Sequence, residues 1–250
     1  MTLGQVFNDA DVACAYRNRA PYPREMFTIL DDLIVEPRAV LDAGAGSGAL
    51  AREIVRFANR VDALDPSAAM IAAGRQLPGG DDPRLRWIVG TAEEGPLAGP
   101  YGLITAGASI HWMDVDRVMP RFASALAPGA VLAIIDIEDG PHPLPEMIDI
   151  IKRYSALEHH KEFPEIVRDL EGSGRFVREG EQRTAVGRIR RSLDTYLEFL
   201  HSTSTLARVR LGARTGAFDD DVRALFARYG MTHIEREYAA SVIWGRPVTT

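Results

Sequence analysis

Val40-Leu41-Asp42-Ala43-Gly44-Ala45-Gly46-Ser47-Gly48 is an apolar run that meets an acid and then breaks into alternating glycines. Three glycines in five residues make a turn that a ligand can approach closely, because no Cβ blocks the way and positive φ costs nothing. Ala49-Leu50-Ala51-Arg52-Glu53-Ile54-Val55 then resumes with good helix formers. The glycines therefore separate a strand from a helix start, where amide N–H groups are expected to face a bound ligand. The stretch reads as a nucleotide-type cradle.

Working outward, Ala39 to Asp42 is continuous and apolar, as a strand buried on both faces should be. Further strands are expected at Val61 to Leu64, Leu85 to Val89, Tyr101 to Thr105 and Ala130 to Ile135. Helices are expected at Ala68 to Arg75, capped by Ser67, and at Asp116 to Leu126. Strands alternating with helices imply a parallel sheet with ligands at the carboxyl ends of its strands. Upstream, Asp9 to Tyr16 and Pro23 to Ile34 carry helical patterns.

Downstream of Ile137 the regularity fails. Met147 to Leu157, Phe163 to Leu170, Ser192 to Leu200 and Phe218 to Tyr229 read as helices. Phe176 to Arg178 and Thr184 to Ile189 are expected to form a small hairpin, and His233 to Tyr238 with Ala240 to Trp244 to close the sheet as paired strands. This divides the chain into an N-terminal helical cover (1–38), a core (39–139 and 212–250) and an insertion (140–211) above the active face.

The chain has 250 residues, 46% of them hydrophobic, enough to bury a sizeable core. A net charge of −6 sets up no global positive field toward nucleic acid or anionic lipid. The single cysteine, Cys14, excludes an intramolecular disulfide and a cysteine-based zinc site; it reads as a packed small side chain and fits a reducing, cytoplasmic setting. No apolar run approaches the ~20 residues of a membrane span. A monomer or homodimer with a small-molecule partner is expected.

Two cofactors compete for the cradle. Gly44-x-Gly46-x-x-Ala49 satisfies the relaxed dinucleotide pattern, with Asp65 near the spacing of a ribose-binding acid, so NAD and an oxidoreductase are one reading. Asp42 opposes it: a carboxylate at the strand end repels a diphosphate but suits an ammonium or sulfonium group.

The segment Val40 to Gly48 resembles the glycine-rich motif of class I S-adenosylmethionine-dependent methyltransferases, in particular a small-molecule subgroup that includes trans-aconitate-type enzymes. That resemblance implies an α/β, Rossmann-like, mostly parallel seven-stranded sheet with helices on both faces, an antiparallel edge strand and a mainly helical lid. It implies S-adenosylmethionine as cofactor and methyl transfer to an O, N or C atom of a small acceptor, or else a cofactor-binding protein that no longer methylates. Asp42, Gly44, Ala45, Gly46, Ser47 and Gly48 would cradle the cofactor. Asp65, next to Pro66, resembles the acid that holds both ribose hydroxyls, and Met70 would pack on adenine. Gly90-Thr91-Ala92-Glu93 resembles the adenine-edge segment, with Thr91 where an acid is usual. Backbone carbonyls of Ala106 and Gly107 would face the methionyl ammonium, and Ala108 stands where relatives often carry glutamine. Tyr16 and Arg19 match a Tyr-x-x-Arg entry segment, which makes Arg19 a fork for the methionyl carboxylate.

His111-Trp112 follows the fourth strand as in that subgroup; His111 is the candidate general base, with a packed wall as the alternative. Candidate acceptor contacts are Tyr22, Trp112, Tyr154 and Phe163, together with Phe176, Tyr196 and His201. Glu158-His159-His160-Lys161-Glu162 reads as a solvated helix end, since adjacent histidines on a helix diverge by roughly 100°, and no metal is expected. Arg183, Arg188, Arg190, Arg191, Arg208, Arg210 and Arg214 can line an anionic-substrate site, although alternation favours a solvated face. Asp136 and Glu138 read either as acceptor contacts or as loop solvation.

Overall fold

The computed structural model describes residues 4–155 and 163–249. In chain order the elements are α1 (Ala10–Ala15), α2 (Arg24–Leu33), β1 (Ala39–Ala43), α3 (Ala51–Ile54), β2 (Arg60–Asp65), α4 (Ala68–Arg75), β3 (Leu85–Val89), β4 (Leu103–Gly107) and α5 (Val115–Ala125). There follow β5 (Leu132–Asp139), α6 (Glu146–Tyr154), α7 (Phe163–Gly172), β6 (Phe176–Arg183), β7 (Gly187–Ser192), α8 (Leu193–His201), α9 (Arg208–Leu211), α10 (Thr215–Arg228) and β8 (His233–Pro247).

The strands form one sheet of eight, ordered β3-β2-β1-β4-β5-β8-β6, with β7 also paired to β8. The first five are parallel; β6 and β8 run antiparallel. The mostly parallel sheet with an antiparallel edge is the expected fold class, with one strand more than the seven anticipated. The expected hairpin does not form. β6 pairs with Ser241 to Pro247 and β7 with His233 to Tyr238, so β8 is one long strand rather than two that pair with each other. Which strand each joins depends on chain dozens of residues away, and local alternation carries no such information.

The chain divides into two compact units. One comprises Tyr22–Glu138, Lys161–Ala185 and Ala239–Thr250; the other comprises Met1–Pro21, Asp139–His160 and Val186–Tyr238. In the first, the sheet separates two apolar layers: Val40, Val61, Leu103 and Ala133 point to one side with Met26, Leu30 and Ile54, while Leu41, Leu64, Ile104 and Ile134 face Phe122, Val167 and Phe176. Burial of β1 on both faces accounts for its unbroken apolar sequence. The stretch 161–185, expected inside the insertion, belongs to this unit because β6 and α7 contribute Phe176, Val167 and Leu170 to its core.

The second unit has its own core of Leu144, Met147, Tyr196, Leu200, Phe218 and Phe226, drawn from α6, α8 and α10. Ser192 caps α8 by accepting a bond from the Thr195 amide at 3.2 Å. Cys14 is exposed, contrary to expectation, because the buried side of α1 is taken by Val12, Ala13 and Ala15. The Glu158 to Glu162 segment lies outside the described residues.

Candidate functional site

β1 ends at a buried acid. Asp42 is 1% exposed; its Oδ1 accepts a bond from the Thr105 hydroxyl at 2.9 Å, and its Oδ2 is buried with no hydrogen-bond partner. Burial pushes this carboxyl up to about 7, opposed by the Thr105 hydroxyl and the Ala51 amide and reinforced by the charge of Asp65. Asp65, at the end of β2, is likewise raised by burial, against the amides of Ser67 and Gly46. Two buried carboxyls at adjacent strand ends, one with an orphaned oxygen, suit a cation.

The glycine turn between them uses positive φ at Gly44, Gly46 and Gly48. Its amides are committed differently from the sequence expectation. Gly44 and Ala45 donate to the Leu64 carbonyl at 2.8 and 3.0 Å, Gly48 to Ala45 at 2.8 Å, and Gly46 to Asp65 Oδ2 at 2.8 Å. The turn is thus tied to the end of β2, and its glycines are required because neighbouring side chains pack directly against them. A Cβ on Gly44 would stand 2.5 Å from the Ser109 Cβ, and one on Gly48 would stand 2.4 Å from the Trp87 ring.

Other expected residues gather here. The Met70 methyl lies over Gly46, where a Cβ would come within 3.1 Å. At the end of β4, a Cβ on Gly107 would stand 2.5 Å from Leu50 and 2.7 Å from the Tyr22 hydroxyl, so Tyr22 sits beside Gly107. Pro66 is exposed between β2 and α4, and Ser47 is buried. Ser109, absent from the sequence reading, donates to the Ala43 carbonyl at 2.7 Å and anchors the segment after β4 to the end of β1. Such a contact joins residues 66 apart and leaves no local signal.

His111 and Trp112 occupy a short helical turn, exposed, with ring centroids 4.6 Å apart. Ala92 is buried and Thr91 exposed. The Glu93 carboxylate accepts from the Asp114 amide at 2.8 Å at the start of α5. Phe176 is 2% exposed and, with Phe163, packs in the core beneath the sheet. Glu138 binds Arg183 and Ser241.

The remaining expected residues lie in the second unit. The Arg19 guanidinium rests 4.4 Å from the Tyr16 ring centroid and donates to Ser202 Oγ and O at 3.2 and 2.9 Å. Tyr154 donates to Asp221 at 2.8 Å. Both ring nitrogens of His201 are engaged, with the Leu206 carbonyl at 2.9 Å and Asp219 at 2.8 Å. Tyr196 is fully buried, 2.7 Å from His142 Nδ1. Arg188 and Arg208 pair with carboxylates, as does Arg183 in the first unit, but Arg191 is 4% exposed and belongs to no solvated face.

A parallel sheet with a glycine turn after β1, acids ending β1 and β2, and an antiparallel edge defines the class as the Rossmann-like fold of class I methyltransferases. Residues 40–129 match the family described as a methyltransferase domain. An uncharacterized methyltransferase of Mycobacterium tuberculosis (strain H37Rv) is 34% identical over 120 residues, 48% of this chain and 47% of that protein. Malonyl-(acyl-carrier protein) O-methyltransferase of Halalkalibacterium halodurans is 33% identical over 104 residues, 39% of this chain and 38% of that protein. The chain thus spans half or less of the length of the relatives it matches. A solved structure from Anaeromyxobacter dehalogenans, provisionally assigned as a type II methyltransferase, superposes with a TM-score of 0.65 at 25% identity, covering 91% of this chain and 97% of that one.

Proposed function

We propose that the protein is an S-adenosylmethionine-dependent methyltransferase acting on an O, N or C atom of a small-molecule acceptor. The observation that carries this is the buried Asp42 carboxylate with its unpartnered Oδ2, directly before a glycine turn in a methyltransferase domain. A diphosphate there would meet two buried acids; a cationic cofactor compensates them.

When bound, the cofactor supplies a sulfonium-activated methyl group. The chain's own residues bind and orient. Asp42 faces the positive end, Asp65 offers its carboxylate to the ribose hydroxyls, and Ala106 and Gly107 present carbonyls to the ammonium. Met70 and Ala92 line the base. His111, exposed at the end of β4, takes the acceptor's proton. The setting is cytoplasmic, in line with the single cysteine, as monomer or homodimer; among the described residues no helix is long and apolar enough to cross a membrane.

The test is production of S-adenosylhomocysteine from S-adenosylmethionine over a panel of small acids, amines and phenols. Acceptor-dependent turnover that disappears in Asp65→Ala supports the proposal. Tight NADH binding in a fluorescence titration, with no affinity for S-adenosylhomocysteine, would replace it with an oxidoreductase.

A further inference from the structure

β7 and the first part of β8 pair with Arg191 opposite Ile234 and Ile189 opposite Arg236. Directly opposed residues in an antiparallel pair share a face, so Arg191 and Arg236 are diagonal neighbours on the face that also carries Ile189, Ile234 and Tyr238. This is the buried face: Ile234 is 1% exposed, Arg191 4% and Arg236 6%. The opposite face carries exposed charges, with Arg188 bridging Glu235 and Glu237. Alternation reserves the inner positions for apolar side chains, and two of them hold guanidinium groups.

Neither guanidinium is satisfied. Arg191 Nε donates to the Asn18 carbonyl at 3.0 Å, and Arg236 Nη2 donates to the Gly140 carbonyl. Nη1 and Nη2 of Arg191, and Nε and Nη1 of Arg236, are buried with no hydrogen-bond partner. Both groups lie against the Phe199 ring, at 4.7 and 5.4 Å from its centroid. A ring face compensates a desolvated cation only in part, and the two like charges repel. Asp139, exposed, is the acid whose charge reaches Arg191 and Tyr196. Tyr196, Tyr238 and His142 complete the surroundings, and burial together with Arg236 holds His142 down to about 4, so it is neutral. Arginine does not shed its proton in proteins, so this pair stays charged.

We propose that Arg191 and Arg236 form a binding site for the oxyanion group, carboxylate or phosphate, of a small molecule. The four orphaned nitrogens present a two-armed fork of the kind that grips two or more oxygens at once, with the neighbouring Tyr196 and Tyr238 hydroxyls beside it. Anion binding at this pair stands independently of the methyltransferase reading.

The test titrates the full-length protein, without cofactor, with malonate and separately with inorganic phosphate at constant ionic strength set by sodium chloride, followed by calorimetry and by the thermal midpoint. The expected result is saturable binding of at least one probe, weakened tenfold or more in Arg191→Met and in Arg236→Met and unchanged in the exposed-face variant Arg188→Met. Preference for malonate assigns a carboxylate, and preference for phosphate a phosphoryl group. If the methionine variants do not fold, Arg191→Lys and Arg236→Lys keep the charge but lose the fork, and should weaken binding severalfold. Absence of saturable binding by both probes, or undiminished binding by whichever variants fold, overturns the proposal. S-adenosylhomocysteine binding is measured in parallel: its failure in the wild type would sink the methyltransferase reading and leave the anion site standing.

Discussion

Asp42 bonds Thr105 through one carboxylate oxygen and leaves the other without a partner, with its pKa pushed up to about 7 by burial. A raised carboxyl favours the protonated folded state. Its contribution to stability is complete below the ordinary value of 3.8 and is lost as pH rises through about 7. The ammonium group of a bound ligand, in contrast, needs the ionised form. Affinity for S-adenosylhomocysteine should therefore tighten about tenfold from pH 6 to pH 8, while the thermal midpoint of the ligand-free protein falls over the same window. Asp42→Asn should flatten both profiles, which calorimetry and thermal scans at each pH would read. Identical profiles for the variant and the wild type would remove Asp42 from the site. Tyr101 makes a second residue-scale test. Its buried hydroxyl donates to Asp62 at 2.8 Å and accepts from the Ala98 amide at 2.8 Å. Tyr101→Phe should cost about 1–3 kcal/mol in chemical denaturation by leaving those groups unsatisfied, with cofactor affinity unchanged. Asp42 was legible in the sequence because it interrupts an apolar strand next to glycines. Ser109 and the Tyr101–Asp62 bond were not, because each couples residues far apart in the chain.

Among the elements, the glycine turn is shaped by what packs on it. Gly48 has φ of +72°, and a Cβ there would meet the rigid Trp87 ring. Gly48→Ala should destabilise by about 1–2 kcal/mol from the left-handed backbone alone, and by more from the ring. Adding Trp87→Leu should recover the second part and not the first, as denaturation of the single and double variants would show. β1 to β5 were readable because each strand is a local apolar run bounded by turn residues. The partners of β6, β7 and β8 were not, since alternation fixes which face a residue takes but not which strand it joins. Arg191 and Arg236 show the cost: the sequence reading put Arg191 with the solvated arginines and did not single out Arg236, because charged residues on strands are ordinarily outward-facing.

At the scale of the whole molecule, the chain holds two compact units with separate apolar cores and carries a net charge of −6. The residues nearest the cradle belong to the unit built around the parallel sheet, where the strand ends and the glycine turn are local sequence features. The other unit is assembled from three stretches separated along the chain, which is why a single contiguous insertion was the natural sequence-level reading. A ligand that binds only the folded state at a hundred times its dissociation constant adds about 2.7 kcal/mol of stability, which for a chain of this size corresponds to a thermal midpoint roughly 5–10 °C higher. S-adenosylhomocysteine should produce that shift and NADH none. The most direct measurement is calorimetric titration of the wild type and Asp65→Ala with S-adenosylhomocysteine. The account predicts one site per chain in the wild type and no detectable binding in the variant; no heat from the wild type, or equal affinity in both, would contradict it.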